Sequence, residues 1–212
     1  MKTRVAVLVF ALMVIVAMPL WADTIDFADC STVTTTKPLT CSGGSSTVGT
    51  ITYSSGITAT AFHTSDQLIW GANYLAIKNG GVDETGLGTV DDPSGDNEIT
   101  ANDAIMLNLS SLGDGTGFWL TMGSLGGGDS YRYCWGPANT PCTALAENVT
   151  DPSIWLTVPG AMPYLYISAS SGNVLISSIT TTDSPVPEPG SMMLLGSGLF
   201  GLAGIVRRKI SR

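Results

Sequence analysis

The residues best suited to chemistry lie in one acidic segment, residues 79–103. It reads NGGVDETGLGTVDDPSGDNEITAND and combines many glycines with seven carboxylates. Carboxylate oxygens in a flexible loop are ligands that calcium prefers, and clustered carboxylates repel one another without a cation. The segment therefore predicts a Ca²⁺ site, although it lacks the EF-hand spacing; the alternative is a solvated acidic loop. The candidate ligands are Asp83, Glu84, Asp91, Asp92, Asp96, Glu98 and Asp103.

Catalytic chemistry has much thinner support. His63 is the only histidine, and neither G-x-S-x-G nor H-E-x-x-H occurs. A glycosidase needs two carboxyl groups at a defined separation, but the spacing within the acidic segment singles out no pair. The sequence predicts that the protein is not an enzyme, and a small secreted glycan hydrolase is retained as an alternative.

Four cysteines lie in two local pairs. Cys30 and Cys41 flank a turn-rich segment, and so do Cys134 and Cys142. Four cysteines allow three pairings, and the turns favour the local one, 30–41 with 134–142. A zinc site is the competing interpretation, but no C-x-x-C motif accompanies the single histidine.

The region between the two ends of the chain is strongly acidic. Residues 23–185 contain sixteen Asp and Glu but only Lys37, Lys78 and Arg132 as bases, a formal charge of −13 with His63 neutral. Nucleic-acid binding needs a basic surface, so a nucleic-acid partner is excluded. The acidic surface suits solubility outside the cell and attracts cations.

Short runs of strand-forming residues recur between turn signals, and the composition is rich in Thr, Ser and Gly. This pattern predicts a mainly β fold with a single β-sandwich or jelly-roll-like domain. Residues 104–111 could also form a short helix capped by Asn102 or Asp103. The nine predicted strands are 47–53, 57–62, 67–77 with a kink or bulge at Gly71, 104–111, 117–123, 130–135, 153–158, 163–170 and 173–182.

Aromatic residues on these strands predict much of the core or its rim. A polysaccharide-binding surface would instead need two or three of them exposed on one face, which would favour a binding module. The residues concerned are Trp70, Phe118, Trp119, Trp155, Tyr164 and Tyr166.

The two ends of the chain have the composition of membrane-directed segments. Residues 1–22 carry Lys2 and Arg4, then an apolar run and a small residue at Ala22, which predicts a signal peptide cleaved after Ala22. Residues 191–206 carry no charge and, as a helix, would span about 24 Å. The basic residues that follow predict a cytoplasmic C-terminus. The alternatives are an uncleaved anchor at the first segment, and a permanent anchor or a buried helix at the second.

The C-terminal sequence VPEPGSMMLLGSGLFGLAGIVRRKISR resembles the PEP-CTERM sorting domain. That resemblance implies a Gram-negative bacterium that makes exopolysaccharide, and an exosortase that cuts the chain near Pro-Glu-Pro. By the same resemblance Pro187, Glu188 and Pro189 form the recognition motif, residues 191–206 cross the membrane, and Arg207, Arg208 and Lys209 are the stop signal.

These observations predict four regions. A signal peptide, 1–22, precedes a β-sandwich body, 23–179; a Thr/Ser/Pro linker, 180–190, leads to the transmembrane segment and basic tail, 191–212. The expected protein is exported, associates transiently with the membrane through its C-terminal helix, and plays a structural or adhesive part at the cell surface or in the exopolysaccharide matrix. The alternative to a structural role is a Ca²⁺-dependent polysaccharide-binding module.

Overall fold

The computed structural model describes residues 23–35, 41, 48–65, 68–81, 83–90, 95–140 and 148–181, and all of them belong to one compact unit, Ala22–Thr182. Short 3-10 helices at Cys30–Thr32 and Ser110–Leu112 join the strands. The strands are β1 (Thr24–Asp26), β2 (Thr50–Thr52), β3 (Thr58–Ser65), β4 (Leu68–Ala72), β5 (Leu75–Asn79), β6 (Thr85–Thr89), β7 (Asp103–Asn108), β8 (Gly117–Gly123), β9 (Ser130–Gly136), β10 (Ser153–Thr157), β11 (Tyr164–Ser171) and β12 (Leu175–Thr181).

The strands form two antiparallel sheets of six strands each. Sheet 1 has the order β10-β8-β12-β6-β5, and β1 also pairs with β12. Sheet 2 has the order β2-β3-β7-β11-β9, and β4 also pairs with β3. The predicted mainly β class is confirmed. No helix among the described residues is long and apolar enough to cross a membrane, and the predicted terminal helices lie outside those residues.

One hydrophobic core takes side chains from both sheets. In β8 the alternation is regular, with Phe118 and Leu120 fully buried on either side of the exposed Trp119. The central strands of sheet 2 contribute Ile105 and Leu165 to the same core. Full burial of one such aliphatic or aromatic side chain stabilises the fold by about 1.5–3 kcal/mol. The two sheets are therefore held by a common core, as the sandwich prediction requires.

The chain passes from sheet 2 to sheet 1 at Asn73. The sequence predicts one kinked strand over 67–77, but the structure divides it into β4, which pairs with β3, and β5, which pairs with β6. Asn73 is fully buried between them. Its Nδ2 donates to Asp103 Oδ1 at 2.8 Å, and its Oδ1 accepts from the Tyr74 amide at 2.6 Å. These two bonds satisfy the buried amide where the strand changes sheets.

The predicted bulge at Gly71 is confirmed, because Phe62 pairs with Ala72 and His63 with Trp70, so Gly71 is the extra residue in the register. The break at Asn73 is an additional feature that the sequence does not predict.

Part of the acidic segment is a strand, which the sequence does not predict. Residues Thr85–Thr89 form β6, which pairs along its length with β5. Gly88 leaves room for the backbone at Asn97 to approach β6, because a Cβ at Gly88 would overlap the Asn97 carbonyl oxygen. A glycine-rich sequence that suggests a loop is here a strand against which another part of the backbone packs closely.

β1 lies in a region where the sequence predicts no strand. β12 lies within the predicted strand 173–182, and its last two residues overlap the predicted linker, 180–190. The hydroxyl groups of Thr24 and Thr180 lie 3.2 Å apart across β1 and β12. The segment 104–111, for which a helix was an alternative, contains strand β7.

The core also buries tyrosine hydroxyls. Tyr53 is 1% exposed, packs edge-on against Phe27 with ring centroids 5.0 Å apart, and its hydroxyl donates to the Phe27 carbonyl at 3.3 Å. Burial, and then the charge of Asp26, raise the pKa of Tyr53 well above its usual value. Burial likewise raises the pKa of Tyr131. Folding therefore favours the protonated form of both residues.

This arrangement predicts a loss of stability in alkali. Unfolded tyrosine ionises near pH 10, so the stabilisation from a raised folded pKa is complete below about pH 10 and is lost as pH rises above it. Tyr53→Phe is expected to cost about 1 kcal/mol at pH 7, through one lost hydrogen bond, and to make the alkaline loss shallower. Urea unfolding between pH 7 and 11 measures both effects. If the free energy of unfolding fell equally steeply with pH in the wild type and in Tyr53→Phe, the prediction would be contradicted.

Candidate functional site

The predicted calcium ligands do not form one group. Two of them, Glu84 and Glu98, meet at Lys78 of β5. Lys78 Nζ donates to Glu98 Oε1 at 2.7 Å and lies 3.3 Å from Glu84 Oε2. Ser124 Oγ also donates to Glu98 Oε1, at 2.9 Å. We call Lys78, Glu84, Glu98 and Ser124 the Lys78 cluster; it ties the acidic segment to β5 and to the chain that follows β8.

Two charged side chains of the Lys78 cluster are largely buried, and the third is exposed. The side chain of Glu98 is 7% exposed and that of Lys78 is 17% exposed, whereas that of Glu84 is 56% exposed. Burial by itself lowers the pKa of Lys78, but the hydrogen bonds and charges of Glu98 and Glu84 outweigh burial and raise the pKa. Lys78 therefore remains a cation and neutralises the buried Glu98.

A second polar group surrounds Asp103 at the start of β7. Its side chain is 3% exposed. Asn73 Nδ2 donates to Asp103 Oδ1, and Thr100 Oγ1 donates to Asp103 Oδ2 at 2.7 Å. His63 stands opposite Asp103 in the β3–β7 register, with its Nδ1 3.4 Å from Asp103 Oδ1. Donors on both oxygens stabilise a buried carboxylate, so Asp103 holds the crossing at Asn73 and positions His63.

The remaining calcium candidates are exposed or undescribed. Asp83 and Asp96 are exposed, and Asp91 and Asp92 lie outside the described residues. Within the described part of the chain, no three His, Cys, Asp or Glu side chains are grouped so that they could hold a metal ion. Lys78 supplies a positive charge beside Glu84 and Glu98, two of the carboxylates for which the sequence predicts a calcium ion. The calcium site stays a prediction.

The local disulfide pairing is confirmed for its first pair. Cys30 and Cys41 are joined, with their Cα atoms 5.8 Å apart, and both pack against the core. Cys134 of β9 is also disulfide-bonded, and its predicted partner, Cys142, lies outside the described residues.

The outer face of sheet 2 is covered around Tyr166 by its own chain. The Tyr166 hydroxyl donates to the Pro137 carbonyl at 2.6 Å and accepts from the Thr140 amide at 3.3 Å. Met106 and Cys134 flank Tyr166 in the neighbouring strands and are each 6% exposed. Burial raises the pKa of Tyr166. The chain after β9 thus folds back over this face. Beneath it, the outward side chains of sheet 2 form a second, smaller apolar cluster.

The outer face of sheet 1 differs, because it carries two exposed tryptophans. Trp119 of β8 and Trp155 of β10 stand directly opposite each other in the register. Their ring centroids are 5.5 Å apart in an edge-to-face arrangement, and the residues are 41% and 45% exposed. A Cβ at Gly117 would overlap the six-membered ring of Trp155, so this glycine leaves the room that the ring occupies. We call Trp119 and Trp155 the Trp pair.

The aromatic residues named from the sequence therefore divide into two kinds. Phe118 and Tyr166 are buried, and Tyr164 is half-buried, as packing predicts. Trp119 and Trp155 are exposed on one face, which is the arrangement that a polysaccharide-binding surface needs. The side chain of Trp70 is not described.

Several residues of these sites were not singled out in the sequence, and two of them, Lys78 and Gly117, carried a signal. Lys78 is the only base next to a dense acidic segment, which marks it as a partner for carboxylates. Gly117 opens a strand, and a glycine in a strand marks close approach by another group. That Trp119 faces Trp155 follows only from the pairing of β8 with β10, two strands that are not consecutive in the chain.

The predicted sorting residues lie outside the described residues. They are Pro187, Glu188, Pro189, Arg207, Arg208 and Lys209.

The family model of the PEP-CTERM protein-sorting motif matches residues 185–209. No curated protein and no solved structure matches the chain.

The Lys78 cluster predicts a sharp difference between two substitutions. Lys78→Met leaves the buried Glu98 without its cation and is expected to lower the free energy of unfolding by about 3 kcal/mol. Glu84→Gln removes only the exposed partner and is expected to change it by less than about 1 kcal/mol. Urea unfolding at pH 7 compares the two variants with the wild type, and equal effects would show that Glu98 does not depend on Lys78.

Proposed function

We propose that this chain, which carries the PEP-CTERM sorting motif at residues 185–209, is a non-enzymatic structural or adhesive protein of the bacterial cell surface or exopolysaccharide matrix. The motif implies export and processing by an exosortase at the cell envelope, and it is the single observation that carries the proposal. The exosortase is the expected partner, and the membrane is a transient one.

The composition and fold of the body support an extracellular role. Residues 23–185 have a formal charge of −13, and the Cys30–Cys41 disulfide suits an oxidising compartment outside the cytoplasm. Two sheets on a common core form a rigid scaffold whose outer faces can meet other matrix components. In this proposal Pro187, Glu188 and Pro189 are read by the exosortase, and the basic tail beginning at Arg207 keeps the C-terminus inside until the chain is cut.

A second candidate function is polysaccharide binding, and the Trp pair favours it. Exposed, rigid aromatic rings provide a large contact area at low entropic cost. The calcium dependence suggested by the acidic segment involves the candidate ligands that lie outside the Lys78 cluster and the Asp103 group, namely Asp83, Asp91, Asp92 and Asp96. No observation on the described residues favours the hydrolase alternative, because Glu98 and Asp103 are buried and held by other side chains.

The processing step is tested by replacing Glu188 with Ala. Wild-type protein recovered from the cell surface is expected to contain no peptide beyond the Pro-Glu-Pro region, because the tail has been removed. Glu188→Ala should remain membrane-bound with Arg207 still attached, whereas Ser184→Ala, outside the motif, should be processed normally. Peptide mass spectrometry of the membrane and surface fractions gives the answer, and intact tails on wild-type surface protein would refute the proposal.

Calcium binding is tested by thermal melting of the full mature protein. A ligand that binds only the folded state raises the melting temperature. If residues 91–92 complete a site, millimolar Ca²⁺ should raise the melting temperature of the wild type but not that of Asp91→Asn/Asp92→Asn. Magnesium at the same concentration controls for ionic strength, and an unchanged melting temperature in calcium would end this hypothesis.

A further inference from the structure

We propose that the Trp pair and the hydroxyl-bearing residues beside it form a binding site for a neutral polysaccharide. The inference rests on the proposed adhesive function and deepens it, since it names the class of polymer and the residues that contact it. The site lies on the outer face of sheet 1, on strands β10, β8, β12 and β1.

The register aligns four outward side chains across these strands. Trp155 stands opposite Trp119, Trp119 opposite Thr180, and Thr180 opposite Thr24. Neighbouring strands are about 4.8 Å apart, so the row spans about 14 Å. Two indole rings form one end of the row and two hydroxyl groups form the other. None of the four side chains carries a charge.

A parallel row of hydroxyl groups lies beside the first. Ser153 stands opposite Thr121, and Thr121 opposite Ser178. The hydroxyls of Thr121 and Ser153 are 3.3 Å apart. Hydroxyl groups both donate and accept hydrogen bonds, so this row can bond to the hydroxyls of a ligand whose less polar face rests on the Trp pair. Asp26 ends this row, at the strand farthest from the Trp pair.

This combination matches the chemistry of a sugar ring. A pyranose presents C–H groups on its faces and hydroxyl groups around its rim, so it contacts an aromatic ring with one and polar side chains with the other. Few, fixed polar groups beside aromatic surface are the usual composition of a ligand site. Because all the contact residues lie on paired strands, little conformational entropy is lost on binding.

Charge selects among polysaccharides. The body carries a formal charge of −13, and like charges repel over the range of the protein's field. An anionic polymer would meet that repulsion, while a neutral chain would not. The ligand inferred for this site is therefore a neutral polymer.

A second copy of this chain fits the surface less well. A stable protein interface buries about 800 Å² on each partner, with an apolar centre. On the described residues, the other large exposed hydrophobics are Tyr74, at the β4–β5 break, and Met162, before β11 of sheet 2. Neither lies on the four strands of the site, so the Trp pair has hydroxyl-bearing neighbours rather than an extended apolar surface, and two acidic copies would repel.

Gly117 gives the site a geometric requirement that can be tested separately from the rings. Because a Cβ at this position would overlap the Trp155 ring, Gly117→Ala must displace the ring while leaving both tryptophans in the chain. A site that depends on the position of the ring will lose affinity in this variant.

The experiment uses mature protein purified from the cell surface. The probe is the host cell's own matrix polysaccharide, deproteinised and separated by anion exchange into neutral and acidic fractions. Isothermal titration calorimetry and tryptophan fluorescence measure binding to each fraction. Trp119→Ala and Trp155→Ala are each expected to weaken binding to the neutral fraction about tenfold. Trp119→Phe should restore most of the affinity, and Gly117→Ala should reduce it.

Tyr74→Ala is the matched control, since it removes an aromatic of similar exposure, 39%, away from the site. Its affinity should equal that of the wild type, and melting curves check that every variant folds. Unchanged affinity in both tryptophan variants, or preference for the acidic fraction, would overturn the inference. The inference would also be overturned if sedimentation showed that the wild type is a dimer and the tryptophan variants are monomers.

The outcomes also separate this inference from the proposed function. Processed wild-type protein that is retained at the surface but does not bind the neutral fraction would overturn the site alone. Wild-type protein that is unprocessed, or is not retained by the matrix, would overturn the proposed function whatever its affinity in solution.

Discussion

The common core of the two sheets fixes which side of each strand faces water. In a strand, side chains alternate between the faces, so burying Phe118 and Leu120 forces Trp119 outward. The same alternation in β10 buries Leu156 and exposes Trp155. The exposed Trp pair is therefore a consequence of core packing on two paired strands.

The outer faces of the two sheets differ in how far their apolar side chains are covered. At Tyr166 on sheet 2, hydrogen bonds to Pro137 and Thr140 bring the chain back over the surface and bury the apolar side chains there. On sheet 1 the Trp pair stays about two-fifths exposed. A protein that covers apolar side chains on one face and leaves larger ones open on the other presents a directional surface, and such exposed aromatics commonly mark an interaction site.

Buried polar groups hold the connections between elements. Asp103 is bonded to Asn73 where the chain changes sheets, and Glu98 is bonded to Lys78 where the acidic segment returns to sheet 1. A buried carboxylate without such partners costs several kcal/mol, so each group requires one particular arrangement of its segment. The acidic segment, which looks like an open loop, is thereby held near its end at Glu98 and Asp103; Glu84, which also contacts Lys78, lies near its start, and β6 lies between Glu84 and Glu98.

Sequence alone determined the properties that depend on local spacing. Short runs of strand-forming residues between turn signals predicted most strands and the mainly β class. The turn-rich segment between Cys30 and Cys41 predicted their disulfide, and residues 185–209 carry a sorting motif that is a linear segment. Only the tertiary structure decided the break at Asn73, the partners of Lys78 and the pairing of Trp119 with Trp155. These depend on which distant strands lie side by side, and a local pattern of apolar and polar residues is compatible with many such pairings.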